Sequence, residues 1–300
     1  MFRKLFFKQI AVALFVISMI AGNACAQKEL TDQQKKDLLK DFYRDFASRI
    51  EFSLDADRPM KLVEEPVMSW TGQERSDFTS GDVFVWTREG RAEMIGCVGS
   101  LPFRDDRRSV FQEFHSLATS PIAETVLEVE GPWGPKEPGV AMKTVDTKTK
   151  PLASEKLRLA QMRRVAGEFS AFMQPPDKPI DERLRLMTQP LYRFDTKELA
   201  KSKSNVVDGA IFAFVWSIGT DPELLLLLEC HRDGDQLVWK YAPVRFTYRV
   251  VRLEHKGKEV WAARRDAGNR NSAYRTTSGG VHSYTQMKSA LAKSSSNAAE

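Results

Sequence analysis

Glu113 and His115, in the run EFHSL, are the residues of this 300-residue chain whose types and spacing best suit chemistry. Two positions apart on a strand, they share one face. A carboxylate beside an imidazole can pass a proton or hold a metal. No nucleophile stands next to them, so a hydrolase-type enzyme using Glu113 and His115 is the alternative reading and not the first. Other polar groups read as structural. Asp105-Asp106, in FRDDRRS, supplies too few ligands for Ca²⁺ and reads as a solvated hairpin loop. Glu229 and His231 flank Cys230 as a polar shoulder at a strand end, and His255 precedes the hairpin tip HKGKE. Trp70, Trp86, Trp216 and Trp239 lie on strand patterns, as core and not as a sugar platform. The chain has no glycine-rich phosphate loop, G-x-S-x-G elbow, H-E-x-x-H or CxxC. No cofactor and no metal site is therefore expected.

Cysteine and charge narrow the setting. Arg3, Lys4 and Lys8 precede an apolar run from Ile10 to Gly22, and Ala24-Cys25-Ala26 follows as an A-x-A site. That is the pattern of a secretory signal peptide over residues 1–26, and its apolar run is too short to span a bilayer. A lipoprotein reading would acylate Cys25, but Gly22 and Asn23 do not suit it. The chain carries 45 Lys and Arg against 40 Asp and Glu, a net +5. The leader holds three of those cations and no acid, leaving 42 against 40, or +2, for the remainder. Such a balance gives no basic stripe for nucleic acid. In an oxidising compartment Cys97 and Cys230 could pair, although two buried thiols are the simpler expectation.

The elements that would position these groups show an internal pattern. A capping box, Thr31 with Gln34, opens a helix whose Leu39, Phe42, Tyr43, Phe46 and Ile50 share one face. Met162, Val165, Ala166, Phe169 and Met173 repeat that stripe 123 positions later, with Ser154 as the cap and Pro175-Pro176 as the stop. Pro66 and Pro190, GDVFVW and GAIFAF, VFQEF and LVWKY then follow in the same order at offsets of 124 to 128. Glu89-Gly90 and Asp233-Gly234 mark tight turns, and ELLLLLEC reads as a strand covered on both faces. The expected fold is α+β: an internal duplication of a helix followed by a curved antiparallel β-meander, layered like cystatin or NTF2 by analogy. The units are 27–150 and 151–265, with 266–300 a flexible tail and GPWGPKEPG a surface loop. At the positions matching Glu113 and His115 the second unit has Lys240 and Ala242, which makes that face the solvated one.

The runs RPMKLVEEPVMSW, GDVFVWTREGR and EFHSL, with QPLYRF and DGAIFAFVW, resemble a family of uncharacterised exported proteins associated with planctomycete-type bacteria. The resemblance implies secretion and a shared fold, and brings no activity, cofactor or catalytic residue with it. The reading that follows is a secreted, non-catalytic module, periplasmic or extracellular, with no transmembrane segment after leader cleavage. Its partner is a protein or a small apolar ligand, bound between helix and curved sheet. Cleavage before Gln27 is checked by intact mass of exported material, where a diacylglyceryl adduct on Cys25 would overturn it.

Overall fold

The computed structural model describes residues 30–72, 79–127, 131–175, 181–217 and 219–297. The expected signal peptide lies outside these residues. The chain divides into a unit up to Asp37 and a unit from Leu38 onward. In the first, the Gln34 N–H donates to the Thr31 hydroxyl at 3.3 Å and the Thr31 N–H to the Gln34 side chain at 3.0 Å. This reciprocal pair starts helix α1, Asp32–Ser48, which runs on into the second unit.

The elements after α1 are mostly strands. The first group is β1 (Lys61–Leu62), β2 (Met68–Gly72), β3 (Thr79–Arg88), β4 (Arg91–Pro102), β5 (Arg107–Ser116), β6 (Thr125–Leu127), β7 (Gly131–Trp133) and β8 (Lys143–Thr144). Helix α2 (Glu155–Ala166) leads into β9 (Phe169–Met173), β10 (Glu182–Arg183), β11 (Arg185–Leu186) and β12 (Tyr192–Arg193). A short α3 (Thr196–Lys201) precedes β13 (Val206–Val215), β14 (Pro222–Asp233) and β15 (Gln236–Arg245). The last elements are β16 (Val251–His255), β17 (Lys258–Ala263), β18 (Tyr274–Ser283) and α4 (Tyr284–Asn297).

All strand pairs are antiparallel. One six-stranded sheet runs β1-β3-β4-β5-β18, with β2 also on β3. A second runs β11-β13-β14-β15-β8, with β12 also on β13. Pro66 and Pro190 each fall between two short strands that share one long neighbour, where a missing N–H costs no ladder bond. A four-stranded sheet, β10-β9-β16-β17, completes the set with the β6-β7 pair.

The two six-stranded sheets face each other. Val83, Val85, Ile95 and Cys97 of the first meet Ile211, Ala213, Leu225 and Leu227 of the second in one buried cluster. The outer side of the first sheet is closed by α1, through Phe42, Tyr43 and Phe46, and by an aromatic group in which Phe52 meets Trp86 at 4.9 Å and Trp133 at 5.9 Å. The outer side of the second is closed by Met162, Val165 and Ala166 of α2 and by the four-stranded sheet. Long strands buried on both faces follow directly from this layering, as the run of buried positions along β14 shows.

The expected helix-plus-meander duplication is not the fold. The protein is mostly β, 45% strand and 19% helix, with four helices among the described residues. The second stripe is where the expectation fails. Gly167 closes α2, and Phe169, Ala171 and Met173 alternate on β9 with buried side chains. They pair with His255, Leu253 and Val251 of β16. Met162, Val165 and Ala166 stay on α2, whereas the spacing of Phe169 and Met173 suits a helical stripe and a strand alternation alike, and long-range pairing decides those two for the strand. Phe46 on a helix and Phe169 on a strand are therefore not equivalent anchors, and among the described residues the sheet built on β9 has no counterpart beside α1. Ser154 stands at the start of α2 but makes no side-chain cap bond. Nor does a lone helix cover each sheet as in a cystatin-like layering, because the sheets cover each other.

Two smaller readings change with it. The segment read as a flexible tail supplies β18, paired along β5 from Tyr274↔His115 to Ser283↔Arg107. The segment read as a surface loop contains β7, whose Trp133 is fully buried and donates to the Ser272 carbonyl at 2.9 Å. Cys97 and Cys230 are both free, on opposite faces of the layering: Cys97 lies between the six-stranded sheets and Cys230 on the far side of the second. A disulfide between them is therefore excluded in this fold. No helix among the described residues is long and apolar enough to cross a membrane.

The sheets are also tied by charge. The two left-handed residues Glu89 (φ 49°) and Gly90 (φ 84°) close the β3-β4 hairpin. Directly after it, Arg91 donates from Nε to Glu229 on β14 at 2.9 Å and from Nη1 to Glu93 at 2.6 Å and to the Leu117 carbonyl at 3.0 Å. Glu229 has no exposed surface and is shared with His231 at 2.7 Å. Replacing Arg91 by Met strands Glu229 without its cation. A loss of about 3–5 kcal/mol is expected in urea unfolding, and the double variant Arg91→Met/Glu229→Leu should recover most of it.

Candidate functional site

At the opposite end of the same strands the sheets separate around a cavity of about 300 Å³. Its apolar wall is built from both sheets and the loop after β15: Trp70, Leu101 and Phe111 on one side, Phe246 and Tyr248 on the other. Its polar groups are Glu113 of β5, Asp221 and Glu223 at the start of β14, Arg249, Thr247 and Thr276, with the Cys97 thiol. β-strand alternation explains the placement. Phe111, Glu113 and His115 share the inward face of β5, and Glu223, Leu225, Leu227 and Glu229 share the inward face of β14.

Arg245 sets the loop that forms the far wall. Nearly buried, it donates from Nε to the Thr247 carbonyl at 2.6 Å and from Nη2 to the carbonyls of Tyr248 at 3.0 Å and Arg249 at 2.8 Å. One guanidinium thus satisfies three successive backbone acceptors and fixes where Tyr248 and Arg249 stand. Arg249 in turn reaches Glu223 at 3.4 Å and lies 5.1 Å over the Trp216 ring.

Two of these carboxyl groups, Glu113 and Glu223, hold their protons unusually well. Burial, helped by the Asp221 charge, pushes Glu113 to about 7, against the hydrogen bond it accepts from the Tyr274 hydroxyl. Burial and Asp221 likewise push Glu223 to about 8, with Arg249 and Thr247 opposing. Burial and the neighbouring Glu113 raise the Tyr274 phenol, so it remains the donor in that pair. Burial lifts the Cys97 thiol well above its ordinary value, which makes it a poor nucleophile near neutral pH.

Glu113 and His115 do share a face, but they do not work as a pair here. Glu113 lines the cavity; His115 lies off its wall, with Nδ1 2.8 Å from the Ser116 carbonyl. Burial drives this imidazole down to about 4, so it is neutral at pH 7 and Nδ1–H is the donor. The face expected to be solvated is enclosed, because the second sheet lies across it. His231 and Glu229, expected as a turn shoulder, are buried in the Arg91 network. His255 stacks on Phe169 at 4.4 Å and meets Glu168 at 3.1 Å, just before the Lys256-Gly257 turn. Asp105 and Asp106 are exposed in the β4-β5 turn. Trp70, Trp86 and Trp239 are buried, while Trp216 is half-buried and donates to Glu182 at 2.6 Å. Among the described residues, no group of three His, Cys, Asp or Glu is arranged to hold a metal ion.

Asp221, Glu223, Arg245, Arg249 and Tyr274 escaped the sequence reading. One signal was present: Glu223 and Glu229 are six apart in an otherwise apolar strand, so both must face the same buried side. Comparison with protein-family models, with curated proteins and with solved structures finds no match to this chain.

The raised carboxyls make a pH prediction. The folded state keeps protons that the unfolded chain releases near 4.5, so their contribution to stability is full below that pH. It is lost as pH rises toward about 7 for Glu113 and about 8 for Glu223. Stability should fall between pH 5 and 8, measured by urea unfolding. Glu113→Gln/Glu223→Gln should flatten that fall, and an unchanged slope would show that these groups titrate normally.

Proposed function

We propose that this protein is an exported, non-catalytic module that binds a small, mostly apolar ligand in the cavity between its two six-stranded sheets. The observation that carries the reading is the cavity itself, about 300 Å³ with aromatic walls from two sheets and a few converging polar groups. The volume suits about ten non-hydrogen atoms, taking about 30 Å³ for each, the share of a water molecule in the liquid. The hydrolase alternative finds little support in this geometry. Its base, His115, faces a backbone carbonyl, its acid, Glu113, is engaged by Tyr274, and the thiol in the cavity is held protonated.

The reading is tested with 2-phenylethanol as a probe. At a hundredfold excess over its Kd it should raise Tm by about 5–10 °C, from about 2.7 kcal/mol of linkage on a chain of this size. Thr276→Phe, which places a ring in the cavity, should abolish the shift. A shift that survives this substitution would put the ligand elsewhere.

A further inference from the structure

A second hollow, of about 170 Å³, shares Tyr248 and Arg249 with the cavity. Three segments build it: Gln174 and Pro175 after β9, Tyr248 to Val250 between β15 and β16, and Arg265 after β17. We propose that it is a site for a phosphate group, gripped by the guanidinium groups of Arg249 and Arg265 and by the Gln174 amide. Its occupant is independent of what fills the cavity.

The Nε–H of Arg249 is buried and has no hydrogen-bond partner among the described residues, although the same guanidinium meets Glu223 through Nη1 at 3.4 Å. A buried donor without an acceptor is costly, and more so on a charged group. An acceptor that enters the hollow removes that cost. Arg265 arrives from a different segment and lies 5.5 Å over the Tyr248 ring, with Arg249 at 5.8 Å from the same ring. Among the described residues no acid pairs with Arg265, and its neighbour Asp266 is turned to the Gly268 N–H at 2.9 Å. The Gln174 backbone N–H is taken by the Val250 carbonyl at 3.0 Å, which leaves the side-chain amide as its donor to the hollow.

A third arginine holds the other two in place. Arg245 donates from Nη2 to the carbonyls of Tyr248, Arg249 and, at 2.5 Å, Arg264. One guanidinium thereby ties the loop carrying Arg249 to the strand end carrying Arg265. The Asp266 N–H adds a bond to the Tyr248 carbonyl at 2.9 Å. Two like charges fixed against one ring repel each other, and an anion between them turns that repulsion into attraction. The planar forks of arginine match phosphate oxygens in pairs. Size agrees: at about 30 Å³ for each non-hydrogen atom, the hollow holds about six, enough for a phosphate group.

Titration of the protein with inorganic phosphate at about pH 8 and about 20 mM salt, where screening is weak, tests this by phosphorus NMR. One site with a Kd of about 1 mM or tighter is expected. Arg265→Gln should weaken binding by about tenfold or more, and Arg265→Lys, which keeps the charge and loses the fork, should recover only part. Arg265 is exposed, so both variants should keep the wild-type Tm. In amide NMR spectra the Gln174 side chain should shift with phosphate in the wild type and stay still in Arg265→Gln. Acetate should bind about tenfold more weakly than phosphate, since it lacks the third and fourth oxygens. Glycerol 3-phosphate separates the sources: tighter binding than phosphate supports a phosphate carried on a larger molecule, and weaker binding supports the free ion. No binding, binding that survives Arg265→Gln, or acetate binding as tightly as phosphate overturns the proposal.

Discussion

Two sheets with ten- and twelve-residue strands, pressed face to face, leave no tolerance for an unpaired charge between them. Each strand interior is therefore apolar across the contact, as Val83, Val85 and Ile95 are against Ala213, Leu225 and Leu227. Both sheets are then buried on one side only, and their outer faces must also be closed. That requirement fixes the rest of the molecule. The helix at Phe42 and Phe46, the aromatic group around Phe52 and Trp133, and the four-stranded sheet with α2 are the covers it demands. Burial of this apolar area supplies the main driving force, and the polar groups are pushed to the two ends of the strands.

The two ends resolve the same problem in opposite ways. At the hairpin end, Arg91 reaches across to Glu229 while Glu93 and His231 complete the set, so each buried acid meets a cation or an imidazole. Against burial, Arg91 and His231 hold Glu229 below its ordinary value, while burial raises Glu93 to about 7 in the same cluster. At the cavity end Glu113 accepts from Tyr274 and Glu223 meets Arg249, and burial holds protons on both acids. One end is a lock between sheets. The other leaves a cavity between them.

Much of the strand architecture was legible in local pattern, and most of the site was not. The capping box at Thr31, the tight turn at Glu89-Gly90, and the doubly covered character of Leu224–Leu228 each depend on neighbours within a few residues. Sequence carries such information directly. Phe169 and Met173 show the limit: their spacing suits helix and strand alike, and only the register with β16, more than 75 residues away, settles the matter. The same limit hid the site. Glu113 was visible as a candidate, but its partners Asp221, Glu223 and Tyr274 are over a hundred residues distant and arrive by sheet packing and by β18. His115 was singled out for its chemistry and proves to be held as a neutral donor to the chain.

Where a fold breaks its own rules is where function is to be sought. Glu113 and Glu223 bring carboxyl groups to inward faces that carry Phe111 beside the one and Leu225 and Leu227 beside the other. The wall opposite is not passive packing either, since Arg245 spends its guanidinium on three successive carbonyls to hold the Thr247–Arg249 loop in place. A rigid loop, a gap between sheets and a pair of buried acids are each destabilising or neutral features taken singly. Together they describe a preorganised space whose stability is completed by whatever brings an apolar body to it.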